Sequence, residues 1–462
     1  MKNFLKLVKS LIYYMPVHPI DFRYYSDEMK NVWEEENRLQ TWLTVEAALA
    51  KVHAKLGNIP KEVAEEIARK SSTKYVKVQR MKEIDKQIHH DLMAMVKALA
   101  EQCDGNAGKY VHLGATSYDI EDTANALQFR DAIAIIEKEL KRMLNILLDL
   151  AEKHKNTVCI GRTHSVHALP TTYGMKFAFY ATEAQRNLER LRAVKDRVLV
   201  GKMSGAVGTQ ASFGKHGLKI QEMVMKELGL KPVLVSTQVL SRDRHAELIC
   251  VLAIIASSLE KIAKEIRNLQ RTEIAEVFEP FSGEQVGSST MPHKRNPHKC
   301  ERICALARVV RSNVEPELET VALEHERDLT NSSLERVTFP TPFILLDYML
   351  KQMNFVLEGL EFNYENIKRN LNLTRGMNMA EHVMMGLVKK GIGRQEAHEI
   401  LRKAAIKTSE ENRTYKEVLL ENEIVKKKFT EKELDWYLDS KNYLGTAVEQ
   451  VDNVIKNLRG KK

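Results

Sequence analysis

The feature that most restricts the fold of this chain is a set of long stretches without glycine or proline. Residues 120–154 and 241–278 form two of them. A helix over the first would extend about 50 Å, because each helical residue adds about 1.5 Å. The second has apolar side chains at helical spacing: Leu248, Val251, Leu252, Ile255, Leu259, Ile262 and Ile266. Long helices with one apolar stripe pack against each other, so the sequence predicts a central helical bundle.

Further helical runs predict an all-α fold for the rest of the chain. They lie near residues 26–56, 172–197, 298–322 and 333–360. Gly (21) and Pro (11) are sparse among 462 residues, which disfavours a turn-rich β architecture. Several helices are too long for one compact monomer, so we expect subunits to pack side by side and complete the core. The predicted helical domains cover residues 1–116, 117–366 and 367–462.

Cysteine usage and hydropathy limit where the chain works. The five cysteines are an odd number, widely spread, with no secretory signal, so we expect a cytoplasmic protein. No window reaches the roughly 20 apolar residues of a membrane span, and no membrane association is predicted. Cys300 and Cys304 lie one helical turn apart without a second ligand pair, and we predict no metal site. Residues 1–14 are either an N-terminal extension or a mis-assigned start before Met15.

Polar residues concentrate in four segments that interrupt the long helices. These segments cover residues 110–119, 161–170, 287–297 and 326–333, and we expect all four to be non-helical. Each lies at the end of a predicted long helix. Backbone amides at helix starts can therefore join the side chains in binding an anionic ligand.

The third of these segments, GSSTMPHKRNP, is the most specific. Gly287 permits a sharp turn, and the hydroxyls of Ser288 and Ser289 could transfer a proton or bind a carboxylate. Lys294 and Asn296 are two residues apart, so on an extended stretch they project to the same side. Together they could hold a carboxylate on which negative charge grows during a reaction. The alternative is an ordinary loop rich in serine, glycine and proline.

This string resembles the signature of the fumarase/aspartase superfamily, which cleaves C–N or C–O bonds and releases fumarate or a related acid. The variant ending MPHKRNP is similar to that of adenylosuccinate lyases and carboxymuconate cycloisomerases. The early pair Arg23-Tyr24 and the spacing from Ser332 to Arg336 favour the first of these families. The resemblance covers nearly the whole chain. It implies a homotetramer with active sites shared between subunits, small-molecule nucleotide substrates, no nucleic-acid partner and no cofactor.

The resemblance also implies a reaction and the residues that perform it. The reaction is β-elimination of fumarate from adenylosuccinate, giving AMP, and from succinylaminoimidazole carboxamide ribotide in purine synthesis. Ser288 is the implied base, because Lys294 and nearby amides can stabilise its alkoxide. His164 is the implied acid, since histidine exchanges protons near neutral pH. The implied substrate-binding residues are Arg23, Tyr24, His89, His90, Asp91, His112, Thr116, Ser117, Gln238, Ser289, Lys294, Arg295, Asn296, Glu301, Arg327, Ser332, Ser333 and Arg336.

Three positions depart from the family pattern, and two other functions stay open. His89 replaces a common arginine, Leu169 replaces an acidic residue, and Arg302 replaces an asparagine. The first alternative is another superfamily enzyme, such as a carboxymuconate cycloisomerase or an argininosuccinate lyase. The second is a non-enzymatic helical scaffold or nucleic-acid binder, which the net charge of +9 would suit. The interspersed acidic residues indicate solvated helix faces instead.

Overall fold

The computed structural model describes residues 18–281 and 288–459. The proposals for residues 1–14 and Met15, and that for Gly287, lie outside this range. Over the described residues the prediction of an all-α protein is confirmed. The helices, α1 to α21 in order, are Pro19–Phe22, Asp27–Trp33, Glu35–Lys55, Lys61–Lys70, Val78–Ile88, Asp91–Gln102, Ser117–Lys153, Tyr173–Val198, Gly217–Leu228, Asp243–Leu269, His298–Arg311, Val314–Glu319, Thr330–Thr338, Pro340–Glu358, Tyr364–Asn372, Ala380–Lys389, Arg394–Glu411, Tyr415–Leu419, Glu423–Lys428, Glu431–Leu438 and Ala447–Arg459.

Short strands and 3-10 turns connect these helices. The strands β1 to β6 are Val158–Thr163, Val166–Thr172, Val200–Gly201, Lys231–Pro232, Val277–Phe278 and Glu361–Phe362. They pair two by two, with β1–β2 and β5–β6 antiparallel and β3–β4 parallel. The 3-10 turns are Ala107–Tyr110, Ala211–His216, Met377–Met379 and Ser440–Asn442.

The long helices form, but several bounds differ from the prediction. Helix α7 begins at Ser117, three residues before the expected start, and Asp119 in its first turn accepts a hydrogen bond from the Thr116 amide at 2.9 Å. Helix α10 ends at Leu269, so the stretch without glycine or proline up to residue 278 is not all helical. The helix expected over 333–360 is divided before Pro340, which opens α14 because a proline fits a helix start.

The segments expected to be non-helical are partly ordered differently. Residues 161–170 form most of the β1–β2 hairpin. Ser332 and Ser333 lie within α13, so the expectation of a loop there was wrong. They are the third and fourth residues of this helix, where serine is tolerated because its hydroxyl can bond to nearby backbone groups.

The chain divides into two compact units. Of the residues that the structure describes, unit 1 comprises those within 1–140, 187–259 and 305–351, and unit 2 those within 141–186, 260–304 and 352–462. One core of unit 1 is formed by α3, α4, α6, the start of α7 and α9, with Leu43 and Leu92 fully buried. A core of unit 2 is formed by α16 to α20. The division into three domains stays a prediction.

No helix within residues 18–281 and 288–459 combines the length and the apolar character needed to cross a bilayer.

Candidate active site

Residues 288–297, called the signature segment below, lie in unit 2. The Ser288 hydroxyl lies at the start of a tight turn in this segment. Its Oγ accepts hydrogen bonds from the amides of Met291 at 3.0 Å and Thr290 at 3.3 Å. Ser288 is half-buried, whereas residues 289–295 are exposed. Two amide donors on one hydroxyl oxygen favour its negatively charged form over its neutral form. This geometry suits a serine that must give up its proton.

The far end of the same segment is fixed by two residues that the sequence analysis missed. The Gln270 side-chain amide donates to the Arg295 carbonyl at 3.0 Å and accepts from the Glu279 amide at 3.0 Å. The buried Glu279 carboxylate accepts from the amides of Lys299 at 3.2 Å and Cys300 at 3.1 Å, at the start of α11. An acid at a helix N-terminus is stabilised by the free amides and the helix dipole. No local sequence pattern marks either residue.

Two other predicted residues, Lys294 and Asn296, lie in this segment, and Glu301 follows it. The Lys294 amide donates to the Met291 carbonyl at 3.1 Å, which closes a turn over Pro292 and His293. The side chain of Lys294 is exposed, and Asn296 is half-buried. Glu301 lies in the first turn of α11, with its carboxylate 4.0 Å from the Arg267 guanidinium.

His164 lies at the tip of the β1–β2 hairpin, also in unit 2. It forms with Ser165 the two-residue turn between paired Thr163 and Val166. Both turn residues have left-handed backbone angles, with φ of 53° and 64°. Such a turn normally uses asparagine and glycine, and other residues there are strained. Side chains held in unfavourable turns are concentrated at functional sites, and His164 is exposed at this tip.

A fully buried carboxylate, that of Glu276, anchors this hairpin. It forms an ion pair with Arg162 in β1, accepts the Tyr173 hydroxyl, and accepts the Asn370 side-chain amide at 2.8 Å. The preceding residue, Ala275, has a φ of 50°, a strained value for a residue with a side chain. Three donors from three separate parts of unit 2 thus converge on one carboxylate.

Glu276→Leu should destabilise the protein by about 3–5 kcal/mol, because Arg162 would keep a buried charge without its partner. We expect kcat to fall as well, since the His164 turn would lose its anchor. Denaturant unfolding and steady-state kinetics measure the two effects. The matched control is Glu273→Leu on the same segment, where the side chain is exposed. Equal stability of the two variants would contradict this account of Glu276.

In unit 1, the segment from His112 to Ser117 is fixed by buried acids. The Glu46 carboxylate accepts from the His112 ring at 2.6 Å and from its amide at 3.1 Å. Burial lowers the pKa of His112, but the charge and hydrogen bond of Glu46 outweigh it and raise the pKa above its usual value. Asp119 is fully buried, accepts from Thr116, and pairs with buried Lys202 at 2.5 Å. Ser117 begins α7.

Two other predicted residues of unit 1 meet directly. The Asp91 carboxylate lies 2.6 Å from the Arg336 guanidinium and 4.0 Å from that of Arg38. Asp91 opens α6, and its neighbour His90 caps this helix by accepting the Met93 amide at 3.3 Å. His89 ends α5 in a left-handed conformation, with φ of 53°. His89 and His90 are both exposed.

Arg327 and Gln238 form a second predicted pair in unit 1. The Arg327 guanidinium donates to the Gln238 side chain at 2.9 Å and lies 3.7 Å from the centre of the Tyr118 ring. Burial raises the pKa of the Tyr118 hydroxyl, and so does the neighbouring charge of Glu121. Tyr118 therefore stays neutral and can only exchange hydrogen bonds.

A cavity of about 290 Å³ in unit 1 adjoins these residues. Its polar lining includes Arg38, Glu121, Ser332 and Arg336, and its apolar lining includes Trp33. Burial raises the pKa of Glu121 to about 8, with the charge of Asp91 adding to the effect and that of Arg336 opposing it. Glu121 is thus largely protonated at neutral pH and does not cancel the charges of Arg38 and Arg336.

Arg23 and Tyr24 lie near the end of α1. The Arg23 guanidinium is exposed and lies 5.7 Å from the centre of the Tyr24 ring. The Tyr24 ring in turn meets the Tyr348 ring edge-on, with 5.7 Å between centres. Ser333 lies on α13 between Ser332 and Arg336 and is exposed.

One group in the described residues has the composition of a metal site. Ligand atoms of His245, Glu317 and Glu335 lie within 4.8 Å of one another. The Arg242 guanidinium already lies 2.7 Å from Glu335 and 2.9 Å from Asp122. Burial lowers the pKa of His245 to about 3 and raises that of Glu335 to about 7. An arginine in the place of an ion makes this a structural cluster that secures α13, the helix with Ser332 and Arg336.

The fold and the signature have clear counterparts. The structure is similar to a fumarate lyase from Mesorhizobium sp. BNC1, with TM-score 0.88 and 34% identity over 96% of this chain and 100% of that one. It is also similar to the 3-carboxy-cis,cis-muconate lactonizing enzyme of Pseudomonas putida, with TM-score 0.88 and 32% identity over 95% and 98% of the chains. The family described as Lyase matches residues 21–312. Fold and site therefore define a lyase of the fumarase/aspartase superfamily.

The particular family follows from two further matches. Residues 376–454 match the family described as adenylosuccinate lyase C-terminus. The adenylosuccinate lyase of Pyrococcus abyssi is 60% identical over 441 residues, which cover 96% of this chain and 98% of that protein. The chain belongs to the adenylosuccinate lyase family. The resemblance found in the signature segment is confirmed, whereas the roles of the individual site residues stay predictions.

Proposed function

We propose that this protein cleaves adenylosuccinate to AMP and fumarate, and cleaves the succinylated imidazole-carboxamide ribotide in the same way. The observation that carries the proposal is the 60% identity to an adenylosuccinate lyase over 96% of the chain. The signature segment and the Ser288 turn supply matching chemistry. The substrates are small nucleotides, and the chain's own acids, bases and cations suffice for the reaction without a cofactor. We place the protein in the cytoplasm.

The proposed reaction begins at the succinyl group. The Ser288 oxygen, as an alkoxide, removes a proton from the carbon beside one carboxylate. Negative charge then spreads onto that carboxylate, where Lys294 and Asn296 can stabilise it. The electron pair next forms the C=C bond of fumarate while the C–N bond breaks. His164 gives its proton to the departing nitrogen, so charge and atoms balance.

We assign the nucleotide phosphate to arginine and serine side chains of unit 1. Arginine forks match phosphate oxygens, and α13 carries both Ser332 and Arg336. Arg336 is 47% exposed while it pairs with Asp91, so its guanidinium can reach a ligand. Arg23 and Tyr24 are assigned to the same end of the substrate, and Thr116, Ser117, Gln238 and Arg327 to the succinyl carboxylates and nearby groups.

Arg336→Ala should raise the KM for adenylosuccinate about 10- to 100-fold, because a charge-assisted hydrogen bond contributes about 1.5–3 kcal/mol. We expect a smaller change in kcat, since the phosphate is remote from the breaking bond. Steady-state kinetics measure both constants. The control is Arg402→Ala, an exposed arginine paired with Glu399 on α17. A KM like that of the control would remove Arg336 from phosphate binding.

We further propose a homotetramer in which subunits share active sites. Large apolar side chains on the long helices support it, since Phe179, Ile254 and Phe355 are 54%, 44% and 51% exposed. Contact with another subunit would remove these apolar surfaces from water, which favours association. Light scattering of the purified protein should give about four times the 52.9 kDa of one chain. A monomer of full activity would contradict shared sites.

The test of the function is a comparison of substrates. Purified protein should convert adenylosuccinate with a loss of its ultraviolet absorbance, and leave argininosuccinate and 3-carboxymuconate unchanged. Turnover of either of the other compounds without turnover of adenylosuccinate would replace this proposal with another superfamily activity. A correctly folded protein without any turnover would point to a scaffold.

A further inference from the structure

Glu46 carries a carboxylate in the apolar interior of unit 1. It lies in the middle of α3 and is 1% exposed, among the fully buried Leu43, Val45 and Leu49. A buried carboxylate is unfavourable unless hydrogen bonds and opposite charge compensate for its lost hydration. No residue of the four polar segments in the sequence pointed to it.

Both oxygens of this carboxylate serve a single residue of the candidate active site. Oε1 accepts from His112 Nδ1 at 2.6 Å, and Oε2 accepts from the His112 backbone amide at 3.1 Å. His112 has a left-handed backbone with φ of 65°. One carboxylate thus fixes the orientation of the ring and an unfavourable backbone conformation together, which leaves Nε2 as the ring nitrogen that can meet a ligand.

The neighbours hold the segment and add to the negative field. The Leu113 carbonyl meets the His53 ring at 2.9 Å, and the Gly114 carbonyl accepts from Ser212 at 2.5 Å. Of the charged groups facing His112, Glu46 comes from α3 and Asp119 from α7, and both raise its pKa. The charge of Asp119 is balanced by the buried Lys202. His53, also on α3, has a pKa lowered by burial, so it adds no cation at neutral pH.

We propose that Glu46 is a positioning residue of the active site, which holds His112 as a doubly protonated imidazolium whose Nε2–H binds a carboxylate or phosphate oxygen of the substrate. This inference rests on the proposed function, because it takes His112 as a substrate-binding residue. A neutral histidine would offer one donor already engaged by Glu46. The charged form offers a second donor and a positive charge to an anionic substrate.

Glu46→Gln should raise the KM for adenylosuccinate about tenfold near neutral pH while kcat changes less than about threefold, because a charge-assisted hydrogen bond to the substrate is weakened. His112 is charged below its pKa, so KM climbs as pH rises through that value. Removing the Glu46 charge lowers the pKa, and the climb should begin at a lower pH. A loss of folding alone would lower the thermal midpoint without moving this climb.

A double-mutant cycle separates positioning from a general structural role. Glu46→Gln should add nothing to the KM of His112→Gln, because Glu46 acts through His112. Additive effects, or an unchanged pH dependence in Glu46→Gln, would overturn the proposal. The matched control is Glu36→Gln, an exposed glutamate on the same helix, which should behave as wild type. Inhibition by AMP and by fumarate shows which substrate oxygen His112 binds. Glu46→Gln should weaken the binding of AMP if that oxygen belongs to the phosphate, and the binding of fumarate if it belongs to a carboxylate.

A second measurement tests the proposal on the wild-type protein, and it can be used if the Glu46 variant does not fold. With isotopically labelled histidine, the wild-type His112 resonance, assigned through His112→Gln, should titrate above the ordinary histidine value of about 6.5. Titration below that value would overturn the proposal. If the wild type does not turn over adenylosuccinate, the proposed function fails, but this titration still shows whether His112, bonded to Glu46, is held in its charged form.

Discussion

Ser288→Ala should lower kcat for adenylosuccinate by roughly 10²- to 10⁴-fold, the usual contribution of a positioned proton-transfer group. The carbon acid beside a carboxylate is weak, so elimination without a base is very slow. KM should stay within a few-fold of the wild-type value, because the hydroxyl contributes little to ground-state binding. Steady-state kinetics give kcat, and calorimetric titration with adenylosuccinate gives the affinity of the inactive variant.

The neighbouring hydroxyl provides the matched control for this result. Ser289→Ala removes the same atom one residue later, where no amides converge on the oxygen in the described structure. Its kcat should fall far less than that of Ser288→Ala. If both variants lose activity equally, the turn as a whole matters and not the Ser288 oxygen. Near-normal turnover by Ser288→Ala would remove Ser288 as the base.

His164→Gln should also lower kcat by roughly 10²- to 10⁴-fold, here by slowing departure of the nitrogen leaving group. Glutamine retains the size and a hydrogen-bond donor but cannot supply a proton as readily. The fall of activity that accompanies loss of a proton from the catalytic acid should disappear from the pH–rate profile. Profiles of both proteins over the same range measure this change.

A second histidine on the hairpin serves as the control. His167 lies on β2, and burial lowers its pKa, as does the charge of Arg162. His167→Gln should therefore retain the shape of the pH–rate profile and most of kcat. An unchanged profile in His164→Gln, or an equal loss in His167→Gln, would argue against His164 as the acid.

The helical fold could be predicted because its pattern is local. A long helix can be predicted from the absence of glycine and proline over 120–154. The apolar stripe on the second long stretch likewise involves only residues within a few helical turns of each other. The end of α10 at Leu269 could not be predicted in this way, because residues 270–278 contain no helix-breaking residue. There, tertiary contacts decide the structure: Gln270 bonds to the signature segment, and Glu276 pairs with Arg162 of the hairpin.

Some residues of the candidate site could likewise be predicted from the sequence, and others could not. The signature segment and His164 could be found because their residue types resemble a family pattern. The carboxylates that hold them could not, since Glu46 and His112 are 66 residues apart and Glu276 and Arg162 are 114 apart. From the sequence, a glutamate within a helix is expected at the surface, and only the folded structure shows the partner that allows its burial. The left-handed turn at His164 likewise has no glycine or asparagine to announce it.

The central claim, that this chain is an adenylosuccinate-cleaving enzyme, is tested most directly by product stoichiometry. Purified protein is incubated with adenylosuccinate, and AMP and fumarate are quantified separately by chromatography, with His164→Gln as the background. We predict equal amounts of the two products, formed at the rate at which adenylosuccinate disappears. Intact adenylosuccinate after incubation with the folded wild-type protein would contradict the account.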